Sequence, residues 1–205
     1  MIIYKIFFDK PHAAEKKNAR TGGIMKTDAR VRYTKQVLKS TLLGLLEHKP
    51  INKITVKEVC EIAQINRATF YSHYADCFDL LEQIENEFIS EFEKSLSYID
   101  GLDVRQLVVA IYDIIDKNID LCRALIFANT NQSLLHRMVA IAHDSSIENW
   151  RNYLKKASDN ELEMLFTCLS NGLMQTVVDG YQKYDRNEVM NFVNAMVKNS
   201  MKMYM

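Results

Sequence analysis

Arg67, Ala68, Thr69, Tyr71, Ser72 and His73 are crowded into one short stretch, INRATFYSHY. Their chemistry suits the surface of a nucleic acid. Thr and Tyr hydroxyls reach phosphates, a Thr methyl or an Ala touches a thymine methyl, and an Arg pairs with guanine or with phosphate. Ala68 and Ser72 are small, which lets a helix approach base edges closely. No charged residue follows Arg67 in this stretch. A core helix would carry more aliphatics there, and a solvated one more charge. Phe70 and Tyr74 fall on the opposite side and are expected to be buried. The plainer alternative is a set of ordinary surface residues on an αα-hairpin, and spacing alone leaves that open.

The elements that must position these residues are legible around them. Thr55 is a good N-cap and Glu58 follows three positions later, a capping-box arrangement. Val56, Val59, Cys60 and Ala63 recur at helical spacing and predict one buried stripe. Gln64 sits where the chain must turn, Ile65 packs beneath the turn, and Asn66 caps the next helix. Upstream, a helix is predicted over Thr27–Glu47, burying Val31, Thr34, Val37, Leu38, Thr41, Leu42, Leu45 and Leu46. Lys26 and Arg30, with Tyr33, stand at its start, where they could clamp a phosphate. Downstream, Asp76 caps a long helix from Phe78 to Leu96 whose apolar residues are Phe78, Leu81, Ile84, Phe88, Phe92 and Leu96.

The run ITVKEVCEIAQINRATFYSHYADCFDLLEQI, preceded by a helix and the Pro50–Ile54 loop, resembles the TetR family of bacterial transcriptional regulators. TFYSHY, then an Asp and the pair Leu80–Leu81, is close to that family's signature. The resemblance covers Thr27 to Phe92 and weakens beyond. It implies an all-α fold: a three-helix DNA-binding domain over 25–76 with its helix-turn-helix at 55–74, a linker helix over 77–100, and a helical ligand and dimerisation domain over 101–205. It also implies a homodimeric repressor that leaves a palindromic operator when a small molecule tilts the linker helix. The DNA-contact set becomes Lys26, Arg30, Thr55, Arg67, Ala68, Thr69, Tyr71, Ser72 and His73. Two positions depart from the pattern. Gln64 stands where the family usually has Gly, and a left-handed residue other than Gly costs roughly 1 kcal/mol. Cys77 stands where the family commonly has a phosphate-reaching Lys.

The net charge is zero, yet it is segregated. Residues 26–74 carry nine Lys and Arg against four acids, residues 1–25 five against two, and residues 75–205 a net −8. A basic N-terminal region on an acidic body is the electrostatic footprint of a protein that presents one end to phosphates. Two prolines, six glycines and sustained apolar periodicity argue for helices throughout. Cys60, Cys77, Cys122 and Cys168 show no CxxC spacing, so a reduced, cytoplasmic chain is expected; a thiol sensor at Cys77 or Cys122 is the minority alternative. No segment is long and apolar enough to span a membrane. Residues 1–24 are expected to lie outside the domain, with Met25 as the start; the rival idea is an arm in which Lys16, Lys17 and Arg20 reach a DNA groove.

Successive helices are expected over Val104–Asp116, Leu121–Ala128, Ser133–Lys155, Asp159–Tyr181 and Asn187–Met203, with Asn129–Gln132 as a loop and Lys183–Arg186 splitting the last pair. By the resemblance, this last pair forms the dimer interface through Leu165, Leu169, Gly172, Leu173, Phe192 and Met196; an ordinary intrachain core is the alternative. One recognition helix reads only a few base pairs, so two-fold pairing has a motive of its own. An apolar effector pocket has Tyr112, Phe127, Met138, Trp150 and Met164 as candidates, with Ile115, Leu135 and Cys168 beside them, though these residues could equally fill the core. His136, His143 and Asp144 are too ordinary a set to assign a metal, and no cofactor is implied. Nucleophile elbow, glycine-rich phosphate loop, paired carboxylates and zinc spacing are all missing from the sequence, so no enzyme is expected.

Overall fold

A computed structural model describes residues 22–99, 101–127 and 132–205, with side chains from Ala29 onward except at Gln132. The helices are α1 (Gly22–Leu46), α2 (Val56–Ala63), α3 (Arg67–Tyr71), α4 (Cys77–Ser95), α5 (Arg105–Lys117), α6 (Ile119–Leu121), α7 (Gln132–Tyr153), α8 (Asp159–Lys183) and α9 (Arg186–Met201). A π-turn, Cys122–Phe127, extends α6. There is no strand among the described residues, so the all-α expectation holds. Residues 1–21, with the proposed arm, and Asn129–Asn131 of the predicted loop lie outside the described residues. Helix α1 starts at Gly22, ahead of the predicted Thr27 and of Met25.

The chain divides into two units, residues 1–36 and 37–205. In the first, Gly22–Gln36 is helical, with Arg30, Tyr33 and Lys35 exposed and Thr34 buried. The second carries two apolar clusters. The larger takes Leu38, Leu42 and Leu43 from α1, Val59 and Cys60 from α2, Phe70 and Tyr74 around α3, and Leu80, Leu81, Ile84, Phe88 and Phe92 from α4. It continues into Val108, Ile111, Tyr112 and Ile115 of α5 and Val177, Val178, Val189 and Val193 of α8 and α9. The smaller gathers Ile147, Trp150 and Leu154 of α7, Leu162, Phe166 and Leu169 of α8, and Val197 and Met201 of α9.

Asp76 caps α4 by accepting hydrogen bonds from the N–H groups of Phe78 and Asp79 at 2.8 and 2.9 Å. The helix begins one residue earlier than predicted, at Cys77, and its buried stripe includes Cys77, Leu80, Leu81, Ile84 and Phe88. Phe78 lies about 100° off that stripe and is exposed, contrary to expectation. Thr55 caps α2 through the Glu58 N–H at 3.2 Å. The reciprocal half of the predicted capping box is missing because Lys49 takes the Glu58 carboxylate. A full box forms instead at α8, between Ser158 and Glu161.

Close approach of helices decides one glycine. A Cβ on Gly180 would meet Val189 Cγ2 of α9 at 2.7 Å, whereas one on Gly172 would meet nothing within 4 Å. Within the chain, the close helix approach therefore falls at Gly180 and not at Gly172. Valine is branched at Cβ and cannot swing aside freely. Gly180→Ala is expected to cost about 1–3 kcal/mol by overpacking, read as a lower melting temperature, while Gly172→Ala leaves the melting temperature unchanged or raised.

A polar clamp joins α7 to α8. His143 Nε2 meets Glu163 and Nδ1 meets Asp144, each at 2.8 Å, and the ring stands edge-on to Phe166 at 4.9 Å. Hydrogen bonding to Glu163, then to Asp144, raises the His143 pKa above its ordinary value. A raised folded-state pKa means that the clamp's stabilisation is complete below about pH 6.5 and fades as pH rises through the raised value. The melting temperature should therefore fall from pH 6 to 8.5 by a margin that His143→Gln removes; an identical pH profile in the variant would show that the clamp adds nothing.

Candidate nucleic-acid interface and body cavity

Helix α3 has only five residues, too few to be stable alone. Three local devices place it. Gln64 adopts the left-handed conformation, with φ 54° and ψ 37°, as its turn position predicts. Asn66 accepts the Ala68 N–H at 2.8 Å, the predicted cap. Phe70, fully buried, and Tyr74 anchor the underside, their ring centroids 5.7 Å apart. Beyond α3, Asp79 accepts the Ala75 N–H at 2.7 Å, which holds its carboxyl below the usual carboxylate range and fixes the turn into α4.

The upper face follows. Arg67, Ala68, Tyr71 and Ser72 are exposed, and Thr69 and His73 are half-buried. Tyr71 is 58% exposed, and its hydroxyl makes no hydrogen bond among the described residues. Ser72 differs from expectation in detail: its hydroxyl donates to the Thr69 carbonyl at 2.7 Å and is spent within the helix. Thr55 is exposed but likewise engaged as the α2 cap. Arg30 is exposed in the first unit; Lys26 lies in α1, and its side chain is outside the described residues. Cys77 faces the core beside Leu80, so it offers nothing to a phosphate. Burial pushes the Cys77 thiol up to about 11 and that of Cys122 up to about 12. Both are buried among apolar side chains, which is the setting of an inert structural thiol and not of a reactive one.

The body holds a cavity of about 110 Å³ between α4, α5, α7, α8 and α9. Leu107, Val108, Trp150, Phe166, Met174 and Val197 are among its apolar walls. Of the five pocket candidates only Trp150 lines it. Met164 is 63% exposed, on the outer side of α8, and Cys168, one turn on, is exposed with it. Met138 and Ile115 fill the core, and Leu135 lines a separate surface recess. Tyr112 is buried with its hydroxyl donating to the Val177 carbonyl at 3.3 Å, and Phe127 stacks on Tyr181 at 5.6 Å. A hydrogen bond from Tyr181 to Asp116 pushes that phenol up to about 12. Arg186 spans Asp113 and Asp116 and lies 5.1 Å over the Tyr112 ring. Scattered aromatic and charged residues are the only trace of this α5–α8–α9 cluster in the sequence.

The dimer candidates divide in the same way. Leu169 is buried and lines the cavity, Leu173 lines it half-buried, and Leu165 packs on the smaller cluster. These three serve the intrachain interior. Gly172, Phe192 and Met196 are exposed. Among the described residues no three His, Cys, Asp or Glu side chains are grouped to hold a metal ion, and no helix is long and apolar enough to cross a membrane.

A capped short helix above a left-handed turn, with a helical body behind it, is the architecture of the TetR-type regulators, and by fold the chain is TetR-like. It superposes on a TetR transcriptional regulator from Streptococcus agalactiae 2603V with a TM-score of 0.63 at 21% identity, over 85% of this chain and 99% of that one. The dihydroxyacetone kinase operon activator DhaS matches with a TM-score of 0.59 at 14% identity, over 83% and 97%. In sequence the chain is 32% identical over 73 residues to YxbF, an uncharacterized HTH-type transcriptional regulator of Bacillus subtilis (strain 168). That match takes in 34% of this chain and 19% of YxbF, so the chain spans about a fifth of the length of the curated relative it matches. No family model matches the chain.

Thr69→Ala and Tyr71→Ala are expected to weaken DNA binding with little loss of melting temperature, since Thr69 is half-buried and Tyr71 touches the core only edge-on to Phe70 at 5.7 Å. Phe70→Ala should instead destabilise the fold by about 3–5 kcal/mol. An unchanged melting temperature in Phe70→Ala would place the buried face elsewhere on α3.

Proposed function

We propose that this protein is a homodimeric, non-catalytic transcriptional repressor that binds a palindromic DNA operator through α3, and that a small apolar molecule in the body releases it and so lifts repression. The observation that carries the DNA half is the upper face of α3: Arg67, Ala68, Thr69 and Tyr71 directed outward from a helix whose underside is fixed by Phe70 and Tyr74. A cytoplasmic setting follows from the DNA partner. Selection of fragments from random and genomic DNA by the full chain, at physiological salt because low salt inflates nonspecific binding, is the test. Recovery of a short inverted repeat is expected; a folded protein that enriches no sequence would overturn the reading.

Dimerisation is supported by the outward side of α8 and α9. Met164, Phe192 and Met196 are 63%, 54% and 41% exposed, and Gly172 leaves room that none of the described residues fills. Another copy's helix suits that surface, and pairing supplies the two half-site contacts that a palindrome needs. Phe192→Asp combined with Met196→Lys should weaken self-association at least about tenfold in sedimentation, with operator affinity falling alongside. Unchanged association would remove α9 from the interface.

The effector half rests on the body cavity. At about 110 Å³ it is below the ~300 Å³ at which ligand pockets usually begin. That size favours a second reading as well: a DNA-binding dimer whose body is a packed protein-interaction module with no effector. Release of operator DNA by a small molecule separates the two.

A further inference from the structure

Where the loop after α1 meets the π-turn, the surface folds into a crevice of about 450 Å³. That is within the usual range of ligand sites, which the body cavity at about 110 Å³ is not. Its apolar walls come from three places: Leu46, Pro50 and Ile51 at and beyond the end of α1, Leu81 of α4, and Ala124 and Leu125 of the π-turn. It shares no lining residue with the body cavity.

The polar rim is Glu47, His48 and Lys49, and its hydrogen bonding is one-sided. The N–H groups of these three residues donate to the Leu43 and Leu45 carbonyls, and Pro50 has no N–H. Of the backbone N–H groups in 47–51 only that of Ile51 is left over, whereas the carbonyls of Leu46, Glu47 and His48 accept nothing among the described residues. The charge is one-sided too. Helix α1 has no basic residue in its last turn, and Glu47 follows it directly. The C-terminal end of a helix bears partial negative charge, so a cation is favoured there and a carboxylate is repelled. Lys49 does not supply that cation, because Glu58 of α2 engages its ammonium. Arg123 of the π-turn pairs with Asp120 at 3.9 Å. Glu47 has no ion-pair partner among the described residues. A helix end and a carboxylate of like sign, side by side with open acceptors, are relieved by a donor that carries positive charge.

We infer that the crevice is a ligand site for a small apolar amine. The hydrocarbon lies on Leu46, Ile51, Leu81 and Leu125, and the ammonium meets Glu47 and donates to the open carbonyls at the end of α1. Two routes connect the occupant to α3. Lys49 reaches α2 through Glu58, and Leu81 belongs to the core that seats Phe70. Amine and operator are therefore linked, and each changes the affinity of the other by the same factor. This link rests on the DNA-regulator reading above; the binding of the amine does not.

The probes are adamantylmethylamine, adamantylmethanol and adamantanecarboxylate, one hydrocarbon cage with three heads, titrated calorimetrically into the full chain. The amine should bind, the alcohol at least about tenfold more weakly, and the carboxylate more weakly still. Glu47→Lys should remove the amine's advantage over the alcohol. The residue is exposed, and a cation at the helix end should leave the melting temperature unchanged or raised, so the loss is not one of folding. Leu46→Trp, which fills the crevice, should block amine and alcohol alike. Equal affinity for the three heads, or amine binding that neither variant changes, puts the amine elsewhere and overturns the site. No binding to protein that still selects operator DNA also overturns the site and leaves the regulator standing. Amine binding by protein that selects no DNA sinks the regulator and keeps the site. Operator affinity that saturating amine changes by less than about twofold would cut the link to α3.

Discussion

A helix of five residues has no stability of its own, and the function proposed for this protein depends on where that helix points. The burial of Phe70 and Tyr74 solves the problem. Two aromatic rings on one side of α3 convert a marginal segment into a fixed part of the α1–α2–α4 core. The left-handed Gln64 and the Asn66 cap set the angle at which α3 leaves the turn. Everything exposed on α3 inherits its direction from residues that no ligand touches.

Helix α4 carries that constraint onward. From its first turns Cys77, Leu80, Leu81 and Ile84 are buried in the same core as Phe70, and Phe88 and Phe92 belong to it too. Polar ties add to the apolar ones. Arg137 of α7 grips Glu85 at 2.9 Å and Asn86 at 2.6 Å, and Asn118 reaches Glu91 at 3.1 Å. A change in the body that moves α7 therefore pulls on α4 through charge-assisted bonds as well as through packing. Phe92 and Leu96 also wall the inner cavity, so the far end of the same helix senses whatever fills it.

The N-terminal module was almost fully legible because its signals are local. Caps, a left-handed turn and a 3.6-residue apolar stripe each act within four residues, and Thr55, Gln64, Asn66, Phe70, Tyr74 and Asp76 all fall where local rules put them. Phe78 shows the limit: apolar spacing admits it beside Leu81, but the face of α4 that packs on the core is centred on Cys77, Leu80, Leu81 and Ile84 and leaves it exposed. The body was legible in its helices and not in its site. Met164 and Trp150 are equally apolar in sequence, yet one is exposed and the other walls a cavity, because the choice depends on which helix packs against which face. Leu169 and Phe192 divide for the same reason.

The π-turn at Cys122–Phe127 has a consequence for how this chain can change over time. An α-helix packed on one side buries about half of its residues, and the others drift freely. In this turn Cys122, Ala124, Leu125 and Ile126 are all buried, Phe127 is half-buried, and only Arg123 faces solvent. A wider turn thus leaves almost no neutral position. Mutational tolerance should collapse across these six residues while their helical neighbours keep theirs, and the loss or gain of a single residue here would rotate the outgoing backbone by about 100°. A segment that looks like ordinary connecting chain thus carries nearly as dense a run of buried side chains as any in the described residues.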